Sequence, residues 1–96
     1  MRPHPIKIIE CPRDAMQGIK AFIPTDQKVQ YLQSLFRVGF DTIDFGSFVS
    51  PKAIPQMADT AEVLAQLDLS TTSSKLLAIV ANLRGALAAA SHKEID

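Results

Sequence analysis

Ile6-Lys7-Ile8-Ile9-Glu10, followed at once by Cys11-Pro12-Arg13-Asp14-Ala15-Met16-Gln17, is the stretch whose reading decides the fold. The first five residues are rich in β-branched side chains and lie between prolines, which suits a short buried strand better than a helix. An arginine, an acid and an amide then crowd into five positions where that strand runs out. In α/β proteins ligands gather at the carboxyl ends of parallel strands, so Arg13, Asp14 and Gln17 are candidate site residues. A surface Arg-Asp salt bridge on a turn is the competing reading.

Working outward, Gly18 to Pro24 reads as a loop. Thr25 is the expected N-cap of a helix from Asp26 to Val38, with Val29, Leu32, Leu35 and Phe36 on one face and Gly39 at its end. Phe40 to Phe45 has strand composition, and Gly46-Ser47 is expected to let the chain leave that strand. Pro51 and Pro55 break up the next segment, leaving a loop with at most a helical turn. Asp59 or Thr60 opens a second helix, Asp59 and Glu62 resembling a capping pair, with Val63, Leu64 and Leu67 as its apolar face. Thr71 to Ser74 is a polar connector.

Lys75 to Ala81 is almost continuously apolar, as a parallel strand covered on both faces should be. Asn82 then caps an alanine-rich helix from Leu83 to about Ser91, and His92 to Asp96 reads as the approach to another strand. The order is βαβαβα, a parallel α/β unit with right-handed crossovers. The turn after the first strand lacks the G-x-G-x-x-G of a dinucleotide-binding fold. The first three βα repeats of a (β/α)8 barrel fit better, yet such a barrel needs about 250 residues. Residues 1–96 are thus expected to form one partial barrel domain.

Composition narrows the partners. The formal net charge is zero, so nothing points to nucleic acid, and no apolar run nears the ~18 residues of a membrane span. With Cys11 as the only cysteine there is no internal disulfide and no Cys-rich zinc module; a buried, inert thiol in a reducing cytoplasm is the expectation. His4 and His92 stand alone near the ends and read as surface histidines, and Met16 and Met57 as packing residues. No G-x-S-x-G elbow surrounds Ser47 or Ser50.

Parallel strands would bring Arg13, Asp14 and Gln17, Asp44 and Ser47, and Asn82 to one rim. Two carboxylates and an amide facing a common cavity can hold a hard divalent cation, Mg2+ or Mn2+, beside an arginine that stabilises a developing oxyanion. A strand-end acid that is purely structural is the blander alternative.

These residues also resemble a known family. Ile8 to Gln17 is similar to the opening motif of 3-hydroxy-3-methylglutaryl-CoA lyase. Ser47-Phe48-Val49-Ser50-Pro51-Lys52 with Pro55-Gln56-Met57-Ala58-Asp59 resembles its second block, and Asn82-x-Arg84-Gly85 its Asn-x-(Lys/Arg)-Gly. The resemblance covers nearly all of this chain but only the family's N-terminal third. It implies a metal-dependent TIM barrel that cleaves an acyl-CoA thioester, 3-hydroxy-3-methylglutaryl-CoA, to acetyl-CoA and acetoacetate. Carried over, Asp14 matches a metal ligand, Arg13 the enolate-steadying arginine, Asp44 a catalytic glutamate, Ser47 a substrate-side serine and Gln17 the motif's glutamine; Asn82 is grouped with the substrate side. Ala15 stands where the family has glycine, and Asp44 is one methylene shorter than glutamate. The family's paired metal-binding histidines, later asparagine and catalytic cysteine have no counterpart in these 96 residues, so the isolated chain is expected to be inactive or nearly so. Two alternatives stay open: a non-catalytic half-barrel module that self-associates through exposed sheet edges, and a related condensing synthase.

Overall fold

The structure, a computed structural model, describes residues 5–96; His4 lies outside them. A three-stranded parallel sheet in the order β1-β2-β3 is built from β1 (Ile9–Glu10), β2 (Thr42–Phe48) and β3 (Lys75–Val80). Four helices accompany it: α1 (Pro12–Gln17), α2 (Thr25–Phe36), α3 (Thr60–Gln66) and α4 (Leu83–Ala90), with a 3-10 turn at Pro55–Met57 before α3. The parallel α/β unit is as expected from the sequence.

The core lies on one face of the sheet. Leu32 and Phe36 of α2, Val63 and Leu64 of α3, Ile43 and Phe45 of β2 and Leu76 of β3 form one buried cluster, with Val29, Leu35 and Leu67 packed against it. The 3.6-residue spacing of the apolar side chains in α2 produces this contact.

Several expectations need correction. The first strand shrinks to Ile9–Glu10, because Ile9 is already level with Thr42, the first residue of β2. Earlier residues would pair with the turn at Gly39, whose φ of 86° is left-handed and breaks the ladder. The turn expected after the first strand is helical: Pro12 occupies the first turn of α1, where its missing N–H costs nothing, and Asp14 complements the helix dipole there. Six residues are too few for a periodic pattern to register. Helix α2 begins at Thr25, with Pro24 as its N-cap. Cys11 is exposed, not buried. The His92 ring stacks on Phe48 with centroids 5.4 Å apart.

The largest correction concerns β2. Gly46-Ser47 does not end the strand, which runs on to Phe48. Asp44 pairs with Leu77 and Gly46 with Ala78, so Phe45 is an extra residue, a bulge in a parallel ladder. Phe45 and Gly46 both turn to the helical side, where a Cβ on Gly46 would come within 2.6 Å of the Thr60 side chain. The bulge therefore brings Asp44 and Ser47, three apart, to the same face of the sheet, which strict alternation would forbid.

At the chain's far end, Asn82 caps α4 as expected, its Oδ1 accepting the Gly85 N–H at 2.9 Å. The Asp96 N–H donates to the Leu76 carbonyl at 3.0 Å, and the Leu76 N–H donates to the Asp96 carboxylate at 2.9 Å, so the last residues lie along the outer edge of β3. Gly85 is where α4 meets β2: an added Cβ would sit 2.3 Å from the Phe48 carbonyl oxygen. Gly85→Ala should thus reverse the usual helix preference, which favours alanine by about 1 kcal/mol. We expect a net loss of about 1–3 kcal/mol, the usual range for forced overpacking, read from urea unfolding followed by circular dichroism; an unchanged or raised midpoint would contradict the close approach.

Candidate functional site

Helix α1 gives the site its first side chains. Arg13 and Gln17 are four residues apart and so share a helical face. The Arg13 Nη1–H donates to Gln17 Oε1 at 2.9 Å, while Nε donates to both oxygens of Asp44 at 3.1 and 3.0 Å and Nη2 to Asp44 Oδ2 at 2.9 Å. This is the two-pronged guanidinium-carboxylate geometry that fixes orientation as well as charge. Asp44 is buried, its side chain only 4% exposed against 15% for Arg13. The hydrogen bond it donates to Asp44, outweighing partial burial, holds the Arg13 guanidinium more firmly protonated than a free one. It is a permanent cation wherever the protein is folded.

A guanidinium has five N–H groups. Three are spent on Asp44 and Gln17. One hydrogen on each terminal nitrogen is left over, and donors of this kind suit an oxyanion. Ser47 lies on the same face of the sheet through the β2 bulge. Its Oγ is buried and finds no hydrogen-bond partner among the described residues, while its N–H donates to Thr60 Oγ1 at 3.3 Å. A buried hydroxyl without a partner is uncommon.

The other candidates are placed differently. Asp14 sits beside the pair, with Oδ1 4.0 Å from Arg13 Nη1, and its side chain is 78% exposed. Asn82 spends its carbonyl on capping α4 and lines a groove of about 330 Å³ with Phe48, Val49, Ser50 and Arg84. A further cavity, about 420 Å³ between Ile6, Val38, Phe40 and Lys75, has neither Arg13 nor Asp44 in its lining.

For a divalent cation the donor set is short. No group of three or more His, Cys, Asp or Glu comes together among the described residues. Asp44 has both oxygens on Arg13, which leaves Asp14 as the unengaged carboxylate of the motif. One ligand does not make a site, so the described residues do not by themselves form one.

Sequence reasoning missed a buried polar network next to this site. Lys28 is 3% exposed, and its Nζ donates to Asp59 Oδ1 at 2.6 Å and to the Gln56 carbonyl. The Thr25 hydroxyl donates to Asp59 Oδ2 at 2.6 Å, and Lys28 also lies over the Phe22 ring. Asp59 is the N-cap residue of α3 but makes no side-chain cap bond, because its carboxylate is engaged by Lys28 and Thr25. One signal was available. Lys28 falls four residues before Leu32 on the apolar stripe of α2, where a cation needs a buried partner.

Removing one member of the Arg13-Asp44 pair strands the other. Asp44→Ala should cost about 3–5 kcal/mol, since Arg13 keeps its charge without a counterion, whereas the double change Arg13→Met with Asp44→Leu should recover most of that loss. Denaturant unfolding of both variants checks this; equal destabilisation of the two would count against the pair as drawn.

No family model matches the chain. Individual relatives do. The chain is 44% identical over 63 residues to the rat protein "3-hydroxy-3-methylglutaryl-CoA lyase, cytoplasmic", covering 65% of this chain and 18% of that one. It is 39% identical over 98 residues to the chicken protein "Hydroxymethylglutaryl-CoA lyase, mitochondrial", covering 98% of this chain and 32% of the relative. Its fold superposes on an HMG-CoA lyase from Acinetobacter baumannii, solved in complex with coenzyme A and 3-methylmalate, with a TM-score of 0.83 at 37% identity, over 88% of this chain and 28% of that structure. The chain spans between 18% and 32% of the length of these curated relatives. In sequence and in fold it is therefore related to the hydroxymethylglutaryl-CoA lyases, and it corresponds to one segment of them rather than to the whole.

Proposed function

We propose that this chain supplies the arginine wall of a carbon-carbon lyase site acting on an acyl-CoA thioester, 3-hydroxy-3-methylglutaryl-CoA, with acetyl-CoA and acetoacetate as products. The observation that carries the reading is Arg13, fixed by Asp44 and Gln17 with two N–H groups to spare. Loss of the proton from the tertiary hydroxyl turns that carbon into the ketone of acetoacetate. The bond to the thioester's α-carbon breaks, its electron pair passes into the thioester as an enolate, and that α-carbon then takes up a proton to give acetyl-CoA, balancing the one lost from the hydroxyl. That enolate oxygen is where the charge develops, and donors already aimed at it need no reorganisation during the reaction.

Each residue then has a role set by its contacts. Arg13 donates to the enolate oxygen. Asp44, with both oxygens on Arg13, orients the cation in this reading rather than taking the hydroxyl proton, and Gln17 holds the third side of the guanidinium. Ser47 offers its unpaired hydroxyl to a substrate oxygen. Asn82 belongs to the substrate side only through the groove next to β2. A divalent cation, Mg2+ or Mn2+, goes with this reading, and Asp14 is the residue that would hold it, as a hard oxygen ligand. We keep the cytoplasmic setting as part of the proposal. No helix of the described residues is long and apolar enough to cross a membrane, and the relatives' names include both cytoplasmic and mitochondrial proteins.

A second reading, a self-associating module without chemistry, draws on the exposed apolar side chains Ile6 and Ile8 before β1, Ile9 in it, and Leu83 and Leu87 on α4. Unpaired strand edges beside such side chains invite association. Light scattering after size exclusion separates the two: a discrete oligomer that melts cooperatively favours the module.

The lyase reading is tested by grafting. This chain, exchanged for the matching segment of the Acinetobacter baumannii enzyme, should leave the chimera able to cleave 3-hydroxy-3-methylglutaryl-CoA, and Arg13→Met in that chimera should lower kcat by about 100-fold or more, the loss usual for an oxyanion donor. A folded chimera without turnover, or one indifferent to Arg13, would rule the reading out.

A further inference from the structure

Gln56 uses both ends of its side-chain amide next to the site. It is 5% exposed, and all three of its side-chain bonds go to the main chain of the segment that follows α1. Its Oε1 accepts the Ile23 N–H at 2.8 Å, and its Nε2 donates to the carbonyls of Ile19 and Ala21 at 2.7 and 2.9 Å. A loop of this kind satisfies its own polar groups or meets water; here a single buried amide does both jobs of donor and acceptor.

The connection to the site is short. Ile19 is tied back to α1 by its N–H, which donates to the Met16 carbonyl at 3.0 Å, and Met16 is itself buried. Gln17, next along, receives the Arg13 guanidinium. On its other side Gln56 is anchored by its own carbonyl, which accepts from Lys28, and Lys28 is locked to Asp59. The network thus runs from the first turn of α2, through the 3-10 turn, to the carboxyl end of α1.

We propose that Gln56 is a positioning residue for Arg13: by clamping residues 19–23 it sets where α1 ends, and so the pose in which Gln17 and Asp44 hold the guanidinium. The inference deepens the reading of Arg13 as the oxyanion donor and rests on it for its functional meaning. Its physical content, the coupling of Gln56 to the Arg13-Asp44 bridge, is independent of turnover. Gln56 touches no reacting atom in this account and acts only through α1.

The test is solvent exchange of the Arg13 Nε–H in the 96-residue chain, followed by nuclear magnetic resonance and assigned by its loss in Arg13→Lys. Gln56→Met keeps the volume and removes all three bonds; Gln56→Asn is the milder change should Gln56→Met not fold. Val63→Ala, in the core cluster outside the network, is the control for general loosening. Exchange at Arg13 should rise at least tenfold in the Gln56 variants and stay within twofold of the parent in Val63→Ala. Unchanged exchange in the Gln56 variants, or an equal rise in Val63→Ala, overturns the proposal. Neither result bears on the lyase reading, which stands or falls with the chimera.

Discussion

The bulge at Phe45 is the constraint on which the rest of this structure depends. β2 is the strand with a neighbour on each side, and six of its seven residues are buried, so its side chains have nowhere to go but one face of the sheet or the other. A regular strand would place Asp44 and Ser47 on opposite faces. The extra residue allows Phe45 to fill the core while Asp44 and Ser47 both face away from it. Gly46 makes the arrangement sterically possible, because any side chain there would run into Thr60 at the start of α3. A packing requirement on one face and a polar pair on the other are thus met by one inserted residue.

The polar groups of the molecule fall into two sets with different duties. Arg13, Asp44 and Gln17 form a partly exposed set that retains free donors. Lys28, Asp59, Thr25 and Gln56 form a buried set in which the side-chain groups face one another or the main chain. Burying the second set carries a desolvation cost that its ion pair does little more than offset, so a gain in stability is a weak reason for its presence. What it does supply is definition. Residues 18–24 have no regular structure of their own, and Gln56 ties the main chain of Ile19, Ala21 and Ile23 between α1 and α2.

Similarity to lyases over a segment of their length agrees with the open borders of this fold. Among the described residues β1 and β3 each have one neighbouring strand, Leu83 and Leu87 are more than half exposed, and Asp96 lies along the outer edge of β3. A parallel sheet is ordinarily covered on both faces. Here α2 and α3 pack on one, and α1 brings Arg13 to Asp44 on the other, where the site residues meet.

Much of this was legible from residue types alone. The apolar stripe of α2, the continuous run of β3, the Asn82 cap and the parallel βαβαβα order follow from periodicity and capping chemistry, which are local properties of the chain. The motif around Arg13 and Asp14 was legible for the same reason, as charge where a strand runs out. Other features depend on residues far apart in sequence. Whether Gly46 ends a strand or sits within a bulge is decided by Thr60, fourteen positions away. The partner of Lys28 comes from the far side of β2. Asp44 is a free carboxylate or an arginine's counterion according to where α1 comes to rest. The sequence by itself determined which elements form and which residues carry charge at the strand ends; only the tertiary structure decided which charges meet, because burial and pairing are properties of the packed chain and not of any one segment.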